Sequence, residues 1–284
     1  MNIRSIRQLF RTVLSSRYEE NESRIITDWV LEDITGFKKS ELIVRTDENL
    51  DETFIQTLKG ALEQLSTGRP VQYVLGYARF DKLNFKVNES VLIPRPETEE
   101  LVAWASETIK EKNYQSVIEV GTGSGCISIA LKKRFPELTI TAIDISEDAL
   151  KTAQENAATH ETKIHFQHLD FLDEAIWAKL PTVDLLISNP PYIPVSEKEE
   201  LSEHVKAFEP AQALFVPDDQ PLLFYEALSK FAATQLNPLG AALVETHEKW
   251  QDNVVRMFRT FGMETYGKND LYGRPRMARA IRNR

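Results

Sequence analysis

The chain has a single cysteine, Cys126, in 284 residues, so no internal disulfide can form. That excludes a small disulfide-stapled scaffold and fits a reducing compartment, so a cytoplasmic protein is expected. Histidine is scarce as well: the five present show no metal-ligand spacing, and no metal site is expected. No apolar run approaches the roughly 18 residues that a membrane span needs. Near the N-terminus, Arg7 and Arg11 split the apolar positions, so a signal peptide is not expected either. Excess positive charge is missing too. The formal net charge is -9, which weighs against nucleic-acid backbone as the main partner, so no stable nucleic-acid binding is expected. What remains is an ordinary globular composition, 42% hydrophobic, on a chain long enough to bury a full core.

Proline is nearly absent from the first part of the chain. Pro70 stands alone before Pro94, which leaves room for uninterrupted helices. Ile6, Leu9, Phe10, Val13 and Leu14 recur at helical spacing. Ile25, Ile26, Trp29, Val30 and Ile34 repeat the pattern up to Gly36, a candidate C-cap. A third stripe, Phe54, Leu58, Ala61, Leu62 and Leu65, ends at Gly68 and Pro70. These stripes predict a small helical domain over 1–75. The first 90 residues carry nearly equal numbers of acidic and basic side chains, which suits protein contact better than phosphate contact.

The period then changes. Leu83, Phe85 and Val87 alternate with polar neighbours, and Val91-Leu92-Ile93 follows. This predicts a β-hairpin or a pair of short strands, a connector over 76–95. From residue 96 to 284 short apolar runs alternate with helical stretches. The strand candidates are 116–120, 139–144, 163–170, 183–188 and 240–246, with two late strands at 263–268 and 276–281. Helices are expected near 97–112, 125–134, 147–158, 219–235 and 249–261. Such alternation implies an α/β fold, a mostly parallel sheet covered on both faces.

Glu119-Val120-Gly121-Thr122-Gly123-Ser124-Gly125 closes the first of these strands and opens a helix. Glycines allow a tight turn and close approach of a ligand, and the helix N-terminus then presents N–H groups to it. The dinucleotide fingerprint is G-x-G-x-x-G. Here the third glycine comes one residue early, which favours the G-x-G-x-G loop of a class I (Rossmann-like) methyltransferase domain. The alternative is a tight strand–helix turn without a ligand. Asp144 closes the next strand, where an acid can accept ribose hydroxyls. Asp170-Phe171 follows the third: Phe171 is placed to stack on a base, or else to be a core aromatic above a capping aspartate.

Asn189-Pro190-Pro191-Tyr192 ends the fourth strand. A plain turn needs neither two prolines nor an aromatic. The side-chain oxygen of Asn189 and the carbonyl of Pro190 can each accept one N–H from a flat, conjugated nitrogen. Tyr192 can stack on that flat group. The tetrad by itself leaves glutamine amide and adenine amine both open.

The chain is similar over nearly its whole length to the HemK/PrmC family of release-factor glutamine methyltransferases. The likeness is carried by 68–73 (Gly-Arg-Pro-Val-Gln-Tyr), 92–99 (Leu-Ile-Pro-Arg-Pro-Glu-Thr-Glu), the glycine loop, and 188–193 around the tetrad. The resemblance implies a class I methyltransferase domain preceded by a small helical N-terminal domain and a β-hairpin connector. It implies methylation of the glutamine amide in the Gly-Gly-Gln motif of class I peptide chain release factors, with S-adenosylmethionine as cofactor. By the same resemblance Glu119, Gly121, Thr122, Gly123, Ser124, Gly125, Asp144 and Phe171 hold the cofactor, and Asn189 touches cofactor and substrate. Pro190, Pro191 and Tyr192 carry the amide, with Asn189, Pro190 and Tyr192 catalytic. Two rival functions share the tetrad, a ribosomal-protein glutamine methyltransferase and an adenine-amino methyltransferase of RNA or DNA. The chain departs from the family pattern at Glu119, where aspartate is commoner, at Phe171, which can be tryptophan, and at Thr246, where a glycine often follows the acid. No role is assigned to Glu245 or His247. Arg274, Arg276, Arg279, Arg282 and Arg284 form a basic tail, for which a solvated strand face is favoured over RNA contact.

Overall fold

The computed structural model describes residues 1–283, so Arg284 lies outside the described residues. The chain forms two compact units. One is Met1–Tyr77 together with Ser202–Phe208, and the other takes the remainder from Ala78 on.

The first unit is helical: α1 (Ile3–Leu14), α2 (Glu20–Thr35), α3 (Lys39–Val44), α4 (Glu52–Ser66) and α5 (Val71–Leu75). Ile6, Phe10 and Leu14 repeat every four residues, so they share one face of α1. That face is fully buried against Val30, Leu31, Leu58 and Leu65. Asn2 caps α1 by accepting from the Ser5 amide, and Gly36 ends α2 in the left-handed conformation expected of a C-cap.

A hairpin follows, β1 (Tyr77–Phe80) and β2 (Leu83–Lys86). Its two-residue turn, Asp81-Lys82, has φ of 48° and 65°, the pair of left-handed residues that matches strand twist. The turn lacks the Asn-Gly or Asp-Gly signature, which is why the hairpin reads one strand too late in the sequence. Val91-Leu92-Ile93, expected as a strand, is not one. Phe80 and Phe85 join the same core as Leu101 and Ile129.

Helix α6 (Pro96–Lys112) then leads into β3 (Ser116–Val120), α7 (Cys126–Arg134), β4 (Thr139–Asp144), α8 (Glu147–Thr159), β5 (His165–His168) and β6 (Val183–Ser188). Two short strands, β7 (Ile193–Pro194) and β8 (Phe215–Val216), pair in parallel around α9 (Glu203–Phe208) and α10 (Ala211–Leu214). The chain ends with α11 (Leu223–Gln235), β9 (Leu236–Glu245), α12 (Gln251–Thr260), β10 (Glu264–Asn269) and β11 (Pro275–Ile281). Helix α9 belongs to the first unit. There His204 stacks on Tyr18 at 4.8 Å between ring centroids, and its Nδ1 lies 2.6 Å from the Gly68 carbonyl.

Seven strands form the main sheet in the order β10-β11-β9-β6-β3-β4-β5. The last five in that order are parallel, and β11 and β10 are added antiparallel. Neighbouring residues of one strand serve opposite cores. Val117, Leu185, Ile187, Ala241 and Leu243 face the α6–α7 side. Ile118, Leu186, Ala242 and Val244 face α11 and α12. A strand buried on both faces cannot alternate with polar residues, hence the continuous apolar runs.

Two strand ends differ from expectation. Strand β5 is shorter than 163–170, and β9 begins at Leu236 rather than at Gly240. Asn237-Pro238-Leu239-Gly240 has turn composition, but it forms a bulge: Leu239 has φ of 64° and the register with β6 shifts there. Three arginines of the basic tail are bound into the fold. Arg276 lies 3.7 Å from Asp270, Arg279 sits 5.1 Å over the rings of Trp104 and Tyr266, and Arg282 donates to the Leu236 carbonyl. Among the described residues no helix is long and apolar enough to cross a membrane.

Candidate active site

Strand order places the site. From β3 the chain moves outward to β4 and β5, then returns to the other side of β3 for β6 and β9. A crevice opens outside the carboxyl ends of the strands where the direction of winding reverses. A cavity of about 390 Å³ lies there, and residues 119–124 of the glycine loop, Asp144, Phe171, Asn189, Pro190 and Pro191 all line it. The sequence-predicted residues from four strand ends are therefore brought together, with two exceptions, Gly125 and Tyr192.

The glycine loop is held from behind. The Gly121 and Thr122 amides donate to the Ile143 carbonyl at 2.9 and 3.1 Å. Gly121 and Gly123 have φ of 74° and 53°, and a Cβ on either would meet no atom within 4 Å. A Cβ on either would therefore enter open space, and both glycines line the cavity. Gly125 differs: a Cβ there would lie 3.2 Å from both Ala153 and Ile129 side-chain atoms. Its role is the close approach of α7 to α8. Asn156, on α8, clamps the loop by donating to the Ser124 carbonyl at 2.9 Å and to the Lys86 carbonyl at 3.0 Å. Thr122 and Ser124 also line the cavity.

Glu119 is buried and reaches the cavity. Its Oε2 accepts from the Thr122 hydroxyl at 2.8 Å, from the Ser128 amide at 3.2 Å and from the Ser128 hydroxyl. Oε1 is buried with no hydrogen-bond partner among the described residues. Burial pushes this carboxyl up to about 7, with the Ser128 and Thr122 bonds pulling the other way. Asp144 accepts from the Gly123 amide at 2.8 Å and from the Ser146 amide at 3.0 Å. Burial raises its carboxyl above the ordinary range, against the pull of those amides.

Phe171 is a core aromatic at the edge of the cavity. It lines the cavity and is buried against Trp177 and Phe231 at centroid distances of 5.4 and 5.3 Å. Asp170 is exposed and accepts from the Leu172 amide, a local turn bond.

At the end of β6 the Ser188 hydroxyl donates to the Val120 carbonyl at 2.8 Å, tying the tetrad strand to the glycine-loop strand. Asn189 lines the cavity, and its Nδ2 donates to the Thr98 hydroxyl at 3.1 Å. Tyr192 is not in the lining. Its hydroxyl donates to Glu245 Oε1 at 3.1 Å, and its ring meets His247 edge-on at 6.0 Å. Burial first, then the Glu245 charge, holds this hydroxyl well above its ordinary value, so it stays a donor.

Several supporting residues have no role that the sequence assigns, although Thr98 and Arg95 lie within the 92–99 stretch that carries the family likeness. Thr98 is buried in the first turn of α6 and lines the cavity. Glu209 is buried, receives Arg95 at 2.6 Å and accepts from the Ile93 amide at 3.2 Å. This ion pair fixes the segment before α6, which also lines the cavity.

The seven-stranded sheet and the glycine loop at its switch point define a methyltransferase of the class I fold. Residues 103–217 match the family description "Methyltransferase small domain", and 5–76 match "PrmC N-terminal domain". A release factor glutamine methyltransferase of Flavobacterium psychrophilum is 36% identical over 98% of both chains. One from Bacteroides thetaiotaomicron is 33% identical, over 96% of this chain and 97% of the other. Among solved structures, a T. thermophilus 16S rRNA methyltransferase, RsmC, in complex with AdoMet and guanosine, superposes with a TM-score of 0.51 at 15% identity. That likeness covers 73% of this chain and 50% of the other and speaks for the fold alone. The chain belongs to the release factor glutamine methyltransferase family.

Proposed function

We propose that this chain methylates the side-chain amide nitrogen of the glutamine in the Gly-Gly-Gln motif of class I peptide chain release factors, in the cytoplasm, with S-adenosylmethionine as methyl donor. One observation carries the reading: the full-length kinship just described is joined to an Asn-Pro-Pro-Tyr turn whose first three residues line the cavity.

The cavity's residues fit that donor. The volume is in the range of small-molecule sites. The unpartnered Oε1 of Glu119 is an acceptor waiting for an N–H group, and a carboxylate suits a cationic amine best. Gly121 and Gly123 leave room for a ligand against the backbone. Asp144 spends part of its acceptor capacity on two amides and keeps the rest for hydroxyls. Phe171 offers a flat face to an adenine. When bound, S-adenosylmethionine supplies a methyl group activated by its sulfonium.

The chain's own residues then manage the acceptor. A primary amide has two N–H groups and a delocalised lone pair. The Asn189 oxygen and the Pro190 carbonyl each accept one N–H, which concentrates electron density on nitrogen and aims it. Tyr192, anchored by Glu245, flanks the amide. No strong base is needed in the transfer step, since the proton departs once the nitrogen is methylated. The work is mainly positioning, which can account for several kcal/mol.

Two results are expected at the donor site. Asp144→Ala should weaken S-adenosylmethionine binding by about 1.5–3 kcal/mol, the usual worth of hydrogen bonds to a charged group. Calorimetry measures it, and unchanged affinity in a folded variant removes Asp144 from the site. The second concerns pH. A bound amine favours ionised Glu119, so binding lowers its pKa and releases a proton. Affinity should therefore rise with pH through about 7 and level off above it. Glu119→Gln should flatten that slope, and a slope that survives the substitution assigns it to another group.

The helical unit serves the partner in this reading. It leaves Ile43 and Val44 strongly exposed, at 61% and 84%. Replacing both with serine should raise KM for a whole release factor by roughly fivefold, as interface residues of moderate weight do. Kinetics on a short Gly-Gly-Gln peptide should not change. Equal effects on both substrates mean that the unit only supports the fold.

A further inference from the structure

The tetrad's asparagine poses a problem of orientation. Its side-chain amide has an oxygen on one side and an NH2 on the other, nearly equal in shape. Only one of the two rotations gives the substrate an acceptor. The other would present donors to the donors of the glutamine amide. The fold must choose, and the bond from Asn189 to Thr98 does not choose by itself. A threonine hydroxyl can donate as well as accept, so either rotation of Asn189 could satisfy it.

Glu245 removes that freedom. The Thr98 hydroxyl gives its single proton to Glu245 Oε2 at 2.7 Å. While Glu245 is ionised, the hydroxyl can then only accept from Asn189, whose Nδ2 lies 3.1 Å away. Burial raises the Glu245 carboxyl, and the Thr98 and Tyr192 bonds and the Arg276 charge pull it back toward the ionised form. The other oxygen of Glu245 accepts from the Tyr192 hydroxyl at 3.1 Å. One buried carboxylate thus fixes both polar ends of the tetrad. Glu245 is itself held at the end of β9, where the Tyr225 hydroxyl donates to its backbone carbonyl at 3.0 Å. Glu245 and Thr98 are almost fully buried, at 1% and 3% exposed, so water does not compete for these bonds.

The geometry points to Glu245 and Thr98 as positioning residues that set the rotation of the Asn189 amide, and with it the polarity of the acceptor presented to the substrate nitrogen. The inference rests on the proposed role of Asn189 with a glutamine amide. It adds a function to Thr98, inside the Arg-Pro-Glu-Thr-Glu stretch, and a second one to Glu245, which also anchors Tyr192. Neither touches the substrate in this account. With glutamine at 245, one of the two hydroxyls faces an NH2 group and must turn to accept from it. With valine at 98 the amide of Asn189 has no partner on that side. In both cases Asn189 loses its fixed position as well as its preference for the productive rotation, so the acceptor is misplaced and not merely reversed.

The test uses the full chain, a Gly-Gly-Gln release factor and S-adenosylmethionine, in single turnover. Thr98→Val and Glu245→Gln should each slow methyl transfer by about 30-fold, in line with the cost of a misplaced catalytic group. S-adenosylmethionine Kd should stay within a few-fold of wild type, and Tm should fall by several degrees because each variant leaves a buried polar group unpaired, without the rate tracking that fall across the series. Thr98→Ser keeps the hydroxyl and should restore a rate within about threefold of wild type, since only the methyl group is lost. Because the two residues act in series, the double variant should be no slower than the slower single one. Wild-type rates in Thr98→Val overturn the relay, and so do losses that follow Tm or cofactor Kd, or effects that multiply in the double variant. Should Glu245→Gln fail to fold, the valine and serine variants at position 98 decide the matter alone. A wild-type chain inactive on the release factor defeats the functional reading and the relay together, whereas an active wild type with an unaffected Thr98→Val defeats the relay only.

Discussion

Asn189→Ala is expected to slow methyl transfer to a Gly-Gly-Gln release factor by at least about 100-fold, while S-adenosylmethionine affinity changes only a few-fold. The asparagine ends β6 at the cavity, and its amide is held from behind by Thr98. Removing it takes away one of two acceptors for the substrate N–H groups and leaves the other, on the Pro190 backbone, in place. The loss resembles that of one donor from a preorganised oxyanion site, with the signs of donor and acceptor exchanged. Single-turnover rates and calorimetry separate the two effects. A rate within about tenfold of wild type, from a folded variant, would show that the acceptor pair is not what drives the chemistry.

The second large effect is structural, and the glycine loop predicts it by contrast. Gly125→Val should destabilise the chain by about 3 kcal/mol or more. Left-handed backbone costs a side-chain-bearing residue roughly 1–2 kcal/mol, and overpacking adds about 1–3. Both apply here, with φ at 78° and a Cβ 3.2 Å from Ala153 and Ile129 atoms. In a unit of this size the Tm should fall by roughly 6–12 °C. Gly123→Ala carries the same backbone penalty with no collision, since nothing lies within 4 Å. It should lose only about 1–2 kcal/mol of stability and instead weaken cofactor binding, because its methyl enters the space left for the ligand. If both variants lost stability equally, the split between a packing glycine and a cradle glycine would be wrong.

These contrasts mark what a sequence shows and what it hides. Strands β3, β4 and β6 match their expected bounds to the residue, because apolar runs of five or six residues between polar turns have few other meanings. The glycine loop, Asp144 and the tetrad are equally visible, since each sits where a strand ends. The hairpin is placed late because its turn, Asp81-Lys82, uses two ordinary residues in a left-handed conformation. The start of β9 is hidden by turn-like residues that form a bulge within the strand. Helix α9 falls in the middle of the catalytic sequence yet joins the helical unit, which no local pattern announces.

The supporting shell of the site is the least legible part. Thr98 and Glu245 lie 147 residues apart in the chain and 2.7 Å apart in the fold. Read alone, one is a residue in the first turn of a helix and the other an acid at a strand end. Glu209 and Asn156 are hidden for the same reason: their meaning comes from the burial and the partners that the fold gives them. Tyr192 shows how much the fold adds to a motif. Its motif suggests a ring facing the ligand, but in the structure its hydroxyl is tied to Glu245 and the ring stands outside the cavity lining.

The central claim is the identity of the methylated atom, and tandem mass spectrometry of a release factor after incubation with this protein and S-adenosylmethionine tests it most directly. The account predicts one added methyl group, located on the side-chain amide of the glutamine in the Gly-Gly-Gln motif, and none on a factor in which that glutamine is replaced by alanine. A methyl group found elsewhere on the factor, or one that still appears on the alanine-substituted factor, would contradict it.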